Sequence, residues 1–417
     1  MEKLFASIVT IGDELLIGQV IDTNSAFIGQ ELNKIGVTVK TKYAIGDEWK
    51  DIWNTLDAAS KESSIVLITG GLGPTADDIT KPLLCEYFGG KMILHQPTLE
   101  WVTYLFEEVF KRPMIERNRK QAEVPDCCTV LKNEKGTAPG MMFEKDGKLF
   151  FSMPGVPSEM KNLMIQVLQI IQQKFKTPAI EHRTLLTMGL GESFLAEHIK
   201  DFEENLPSNV KLAYLPNYGL VRLRLTGHGE NKAQLNQHLD DLLQNLKSQV
   251  SHVLVADEDI PIEAAIGKVL LEKNKTMCTA ESCTGGYIAH KLTEIPGSSQ
   301  YYFGTIVSYD NSIKQNVLKV KQETLENFGA VSEETVKEMA VNAIQLMNTD
   351  YAVAVSGIMG PTGGTIEKPV GLVWIAAASK EGKIETKQFN FRFERRRNIE
   401  MTATNALNFL RKFIIEN

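Results

Sequence analysis

The segment Ser64 to Gly71, SIVLITGG, is a short apolar run with no polar alternation that stops on two glycines. A strand written this way is buried on both faces, as in a parallel sheet covered by helices. FASIVTIG, from Phe5 to Gly12, repeats the pattern, and between the two lies the helical NSAFIGQELNKIG, stopped by Gly36. Short apolar strands alternating with helices over the first ~170 residues predict a layered α/β domain. Its ligand should sit where the glycines fall, at the carboxyl ends of the strands.

A chain of 417 residues exceeds one ordinary core, and a prior of about 150 residues per domain predicts two or three. From Thr177 to Val253 the pattern changes: HRTLLTMGLGES, a helical ESFLAEHIKDFEE, two β-rich runs, and an amphipathic helix from Ala233 to Val250. This predicts a small α+β unit. The acidic, proline-bearing VADEDIPIE then marks a boundary near Ala256, followed by a third α/β unit closing on a helix from Asn398 to Ile415. The expected domains are therefore 1–172, 173–255 and 256–417.

A net charge of −7 leaves no surplus of Lys and Arg for general binding to nucleic acid or an acidic membrane. Five cysteines without a C-x-x-C pair predict reduced thiols and a cytoplasmic protein. The early acidic pair Asp13 and Glu14 makes the first segment a strand, not a signal peptide.

Chemistry concentrates in the third unit. In TAESCTGGYIAHKL an apolar lead-in ends at Glu281-Ser282, and Gly285-Gly286 open a helix. Ser282 and Thr284 there are helix caps or, for Ser282, a nucleophile beside main-chain N–H groups suited to an oxyanion. A serine hydroxyl needs a base. IVSYDNSIKQNVL supplies Tyr309 and Lys314, while none of the seven histidines stands in a triad-like context. VAVSGIMGPTGGTIEKPVGLVWIA joins two strands through a loop of five glycines and two prolines, which presents main-chain donors to a phosphate or ribose.

Together AESCTGG, YDNSIK, AVSEETV and SGIMGPTGGTIEKPVG resemble the C-terminal domain of the CinA (competence/damage-inducible) family. The resemblance implies nicotinamide-nucleotide amidase activity: nicotinamide mononucleotide (NMN) hydrolysed to nicotinate mononucleotide and ammonia without a cofactor. Carried over, Ser282 matches the nucleophile, and Tyr309 and Lys314 match the groups that activate it. Thr284, Gly285 and Gly286 flank the attacked carbonyl. Ser356 stands where the family commonly has Thr. Gly360, Gly363, Gly364 and Thr365 would meet the nucleotide. Among Arg392, Arg395, Arg396 and Arg397, Arg396 best matches an arginine that grips phosphate. A catalytic Cys283 is disfavoured, since it lacks a histidine-type activator.

In the first unit GGLGPTADDIT places a glycine turn before Asp77 and Asp78. Glycine N–H groups can cradle a diphosphate while a carboxylate holds a bridging metal; equally, the acidic pair can cap a helix. With IGDELLIGQVIDTN, NRKQAEVP, GTAPGMMF and MPGVPSEM, the turn resembles the molybdopterin-binding-like, three-layer domain that begins CinA proteins. That implies an ADP-ribose pyrophosphatase needing a divalent metal (Mg, Mn or Co), with potassium as a further ion. By motif position, Gly70, Gly71, Gly73, Thr75, Asn24 and Asn118 approach the nucleotide, and Asp77, Asp78 and Asp22 the metal; Glu14 and Pro139-Gly140 lie close by. The spacing leaves open which carboxylate binds metal. The competing readings are molybdopterin adenylyl transfer by the first unit, or a non-catalytic competence partner. The resemblance also suggests a homodimer, with NMN and ADP-ribose as small-molecule partners and no membrane or direct nucleic-acid partner.

Overall fold

The computed structural model describes residues 4–75 and 78–417. They are mixed α/β and form two compact units, the first reaching Glu181 and taking in His228–Asn236, the second holding the remainder.

In the first unit a six-stranded sheet runs, edge to edge, Thr38–Ile45, Phe5–Ile11, Ile65–Thr69, Lys148–Met153, Gly140–Lys145 and Thr129–Leu131. The first four strands are parallel and the last two antiparallel. Period-two geometry splits each apolar run between two cores. Ile8, Ile65 and Leu67 pack with the helices Thr23–Lys34 and Pro157–Lys174. Val9, Val66 and Ile68 pack on the opposite face with Trp49–Glu62 and Thr80–Tyr87. That two-sided burial is why SIVLITGG carries no polar alternation. Gly36, at φ 82, ends the first helix as its position in the sequence predicts.

In the second unit the sheet order is Tyr302–Val307, Met277–Glu281, Tyr351–Gly357, Leu372–Ser379 and Ile384–Asn390, the first three parallel and the last two antiparallel. Again two cores flank it. Met277, Val353 and Val355 meet the helices Ile262–Glu272 and Arg395–Glu416, whereas Cys278, Ala280, Ala352 and Ala354 meet Glu333–Met347. A four-stranded sheet from the middle of the chain, ordered Val210–Asn217, Leu220–Gly229, Ala179–Met188 and Leu254–Ala256, contributes Leu186, Met188, Leu220 and Val255 to the first of these cores.

Two helices differ from expectation. ESFLAEHIKDFEE breaks into Glu192–His198 and Lys200–Glu204 because Ile199 leaves helical geometry, at φ −111 and ψ 21, while its side chain is fully buried. The last helix begins at Arg395, three residues before the expected start, since the Glu394 carboxylate accepts from the amides of Arg396 and Arg397. No helix among the described residues is long and apolar enough to cross a membrane.

Candidate active site

Three parallel strands of the second unit deliver their next residues to one place. Ser282 follows Glu281, and its amide donates to Val355 O at 3.0 Å; the Ser308 amide, beyond Val307, donates to Glu281 O at 2.8 Å. Gly285 and Gly286, at φ 61 and 95, then reverse the chain into the helix Tyr287–Thr293. Ser282 ends on a cavity of about 200 Å³ whose lining includes Cys283, Tyr309, Lys314, Ser356 and Arg395. None of the seven histidines lines it.

Lys314 sits on the short helix Asn311–Asn316, capped by Asp310, which accepts from the Ser312 amide at 2.8 Å. Its buried Nζ lies 3.1 Å from Ser282 Oγ, 2.6 Å from Ser308 O and 3.3 Å from Tyr309 O. Burial pushes the Lys314 ammonium below its ordinary pKa, a shift that Cys283 and Asp310 partly oppose. A neutral amine has two N–H bonds and one lone pair. As an ammonium, Nζ donates to all three oxygens, Ser308 O, Tyr309 O and Ser282 Oγ; in the neutral form two hydrogens stay on the carbonyls and the lone pair is free to face the serine hydroxyl.

Tyr309 also lines the cavity, but its exposed hydroxyl accepts from Arg395 Nη2 at 3.2 Å, while Arg395 Nη1 donates to Gly360 O at 2.8 Å. Ser356 Oγ donates to Ala330 O at 2.7 Å. Thr284 is turned away from the cavity, its hydroxyl donating to Glu281 at 2.7 Å. The Gly285 amide donates to Ser282 O and the Gly286 amide to Glu281. Gly363, Gly364 and Thr365 do not line the cavity; the Thr365 amide and hydroxyl close a local turn with Lys368. Arg396 faces a second hollow with Tyr287, His290 and Glu400, and Arg395 borders both. Successive helical side chains point about 100° apart, so only one of the two arginines can face Ser282. Burial raises the Cys283 thiol to about 12, which keeps it from acting as a thiolate.

In the first unit, a Cβ on Gly70 would lie 2.1 Å from Ile11 O, and one on Gly71 2.0 Å from Thr80 Oγ1, so this turn requires glycine. Asp78 folds back over it, accepting from the Gly73 amide at 2.8 Å, the Thr75 amide at 2.8 Å and the Thr75 hydroxyl. The loop donors expected to hold a diphosphate thus already hold Asp78. Asp77 lies outside the described residues. Asp22 caps the helix Thr23–Lys34, accepting from the Ser25 amide at 2.9 Å; with Asn24 and Glu14 it lines a separate hollow. Asn24 donates to Gly155 O at 2.7 Å and Thr69 Oγ1 at 3.2 Å. Asn118, on the short helix Glu116–Arg119, lines neither that hollow nor the cavity that Pro139 borders beside Trp101. Among the described residues no three His, Cys, Asp or Glu side chains are grouped to hold a metal ion. Among the described residues Asp22 and Asp78 are not brought together: each accepts from amides of its own segment. Asp47 borders the glycine turn, its Oδ1 3.4 Å from where a Cβ on Gly71 would lie and its amide donating to Asp13 Oδ1 at 3.4 Å; burial raises its carboxyl, an effect that hydrogen bonding involving Asp13 partly opposes.

Three family models match consecutive stretches: "Probable molybdopterin binding domain" over residues 7–175, "Damage-inducible protein CinA KH domain" over 182–255, and "CinA C-terminal domain" over 259–414. The CinA-like protein of Flavobacterium psychrophilum is 45% identical over 414 residues, 99% of each chain. The chain belongs to the CinA family. The CinA-like protein of Cytophaga hutchinsonii is 44% identical over 99% of each chain. The crystal structure of the competence/damage inducible protein CihA from Agrobacterium tumefaciens is 40% identical, covers 36% of this chain and 91% of its own, and gives a TM-score of 0.35.

Against this CinA fold, two residues around Ser282 escape a reading of motifs. Arg395 is indistinguishable from its neighbours until the helix start is fixed, and Glu281 reads as the tail of a strand.

Proposed function

We propose that this CinA protein is a pyridine-nucleotide recycling hydrolase whose C-terminal domain hydrolyses the carboxamide of NMN. One observation carries the reading: a buried lysine amine 3.1 Å from a serine hydroxyl that lines a cavity at the ends of parallel strands. Ser282 Oγ attacks the amide carbon as its proton passes to Lys314 Nζ. Lys314 returns that proton to the departing nitrogen, giving ammonia and an acyl ester on Ser282. It then takes a proton from water, whose oxygen attacks the ester, and hands that proton to Ser282 Oγ as the ester C–O bond breaks, freeing nicotinate mononucleotide. Tyr309, tied to Arg395, borders the path of the substrate; Arg395 and Arg396 offer cations to its phosphate. The same reading includes a homodimer in the cytoplasm, in keeping with five free cysteines.

Activity should rise with pH through the lowered pKa of Lys314, because only the neutral amine accepts the serine proton. Folding favours the neutral form as well. Between the folded pKa and the unfolded value of about 10.4 the unfolded chain binds more protons, so the Lys314 contribution to stability also grows as pH rises through that window. The pH profile of kcat/KM for ammonia release checks this. A flat profile, or one falling as pH rises from neutrality, contradicts a lysine base.

For the N-terminal domain the reading is ADP-ribose hydrolysis to AMP and ribose 5-phosphate. A magnesium-like ion usually binds through one or two carboxylates plus substrate phosphates, and Asp47, whose Oδ1 would lie 3.4 Å from a Cβ on Gly71, borders the glycine turn where the diphosphate would sit. Bound there, the cation would neutralise charge on the diphosphate oxygens. Liquid chromatography of AMP formed from ADP-ribose, with and without EDTA, tests this; product formed equally in EDTA counts against the metal. Adenylylation of molybdopterin in the same assay would favour the transferase alternative.

A further inference from the structure

Glu281 is fully buried, yet its carboxylate accepts six hydrogen bonds. Oε2 takes the Thr284 hydroxyl at 2.7 Å and the amides of Gly286 and Ile288 at 3.1 and 3.0 Å. Oε1 takes the Ala289 amide at 2.9 Å and the hydroxyls of Thr279 and Thr305, each at 3.3 Å. The residue before the proposed nucleophile thus stitches the turn after it to its own strand and to the neighbouring strand Tyr302–Val307.

The stitch leaves few amides free between residues 282 and 289. Ser282 donates to Val355 O, Gly285 to Ser282 O, Tyr287 to Thr284 O, and Gly286, Ile288 and Ala289 to Glu281. Only the adjacent amides of Cys283 and Thr284 donate to no other residue among the described residues, and the Cys283 amide lies against its own thiol. Two neighbouring N–H groups one and two residues beyond a nucleophile form the donor pair an oxyanion needs, provided the turn is held rigid. Buried backbone donors without partners are rare, so a pair beside a serine calls for a ligand atom.

We infer that Glu281 is a positioning residue: it takes up the competing amides of the turn and thereby fixes Cys283 N–H and Thr284 N–H as the oxyanion donors for Ser282. The inference rests on Ser282 being the nucleophile. Glu281→Gln keeps the volume but sets an amide N–H2 against backbone N–H groups that need an acceptor. The turn should then relax and the donor pair lose its aim.

The test compares a tetrahedral with a planar occupant. 3-Pyridineboronic acid forms a boron–oxygen bond to Ser282 Oγ as the hydroxyl proton moves to Lys314, leaving an anionic tetrahedral boron; nicotinamide binds without reacting. In Glu281→Gln, kcat for NMN should fall about 100-fold with KM nearly unchanged. Boronate affinity should fall by a similar factor while nicotinamide affinity holds. Equal weakening of both ligands, or an unchanged kcat, overturns the inference. If Glu281→Gln does not fold, Thr284→Val decides: a selective loss of boronate affinity of about tenfold supports the proposal, and an unaltered ratio of the two affinities defeats it. Wild-type protein that neither binds boronate nor releases ammonia refutes the nucleophile itself, an outcome distinct from variants that keep a normal ratio.

Discussion

Ser282→Ala is expected to lower ammonia release from NMN by on the order of 10⁴-fold or more while leaving the fold intact, because the hydroxyl is the only atom removed and it forms the covalent bond. Ser282 is nearly buried and its amide, not its side chain, ties the strand ends together through Val355. The thermal midpoint should therefore barely move, and NMN should still bind. Steady-state assays with far-UV circular dichroism separate the two effects. Loss of activity accompanied by loss of structure would not count for the mechanism, and retained activity would remove Ser282 from it. Nor should Cys283 substitute in the variant, since its burial holds the thiol protonated.

The second large effect belongs to Lys314. Lys314→Arg keeps several N–H donors near Ser308 O and Tyr309 O but makes the positive charge permanent, since guanidinium does not deprotonate in proteins. If the lysine acts as a base, the arginine variant should lose roughly 10²- to 10⁴-fold in kcat, together with the rising acid limb of the pH profile. Lys314→Met should fall as far without restoring that limb. An arginine variant retaining a tenth or more of the wild-type rate would mean that the cation, not the lone pair, is what the site uses.

Much of this was legible in the chain because it follows from local rules. The apolar run ending at Gly70 required a strand buried on both faces, and in its neighbour ending at Gly12 the alternation of Ile8 with Val9 likewise divides between two cores. Ser282 and Lys314 were readable because Ser282 lies just past a strand end and Lys314 on the short helix that follows one, each in a motif with few other reactive side chains. What the motifs could not disclose was direction. Thr284 and Gly286 look like substrate contacts in a linear string, yet they face Glu281, because a buried carboxylate must find donors and the nearest belong to the following turn. Arg395 and Arg396 differ by one position, and which one meets the cavity depended on where Glu394 starts the helix. Likewise Asp78 satisfies its own loop instead of standing free for a cation. Each of these turns on hydrogen-bond satisfaction across residues distant in space, which spacing does not encode.

The most direct test of the central claim is to incubate purified wild-type protein with NMN in EDTA and quantify ammonia and nicotinate mononucleotide together. The serine–lysine site predicts one equivalent of each per NMN consumed, undiminished by the chelator. Consumption that yields free nicotinamide and ribose 5-phosphate, or none at all under conditions where the protein is folded, would contradict it.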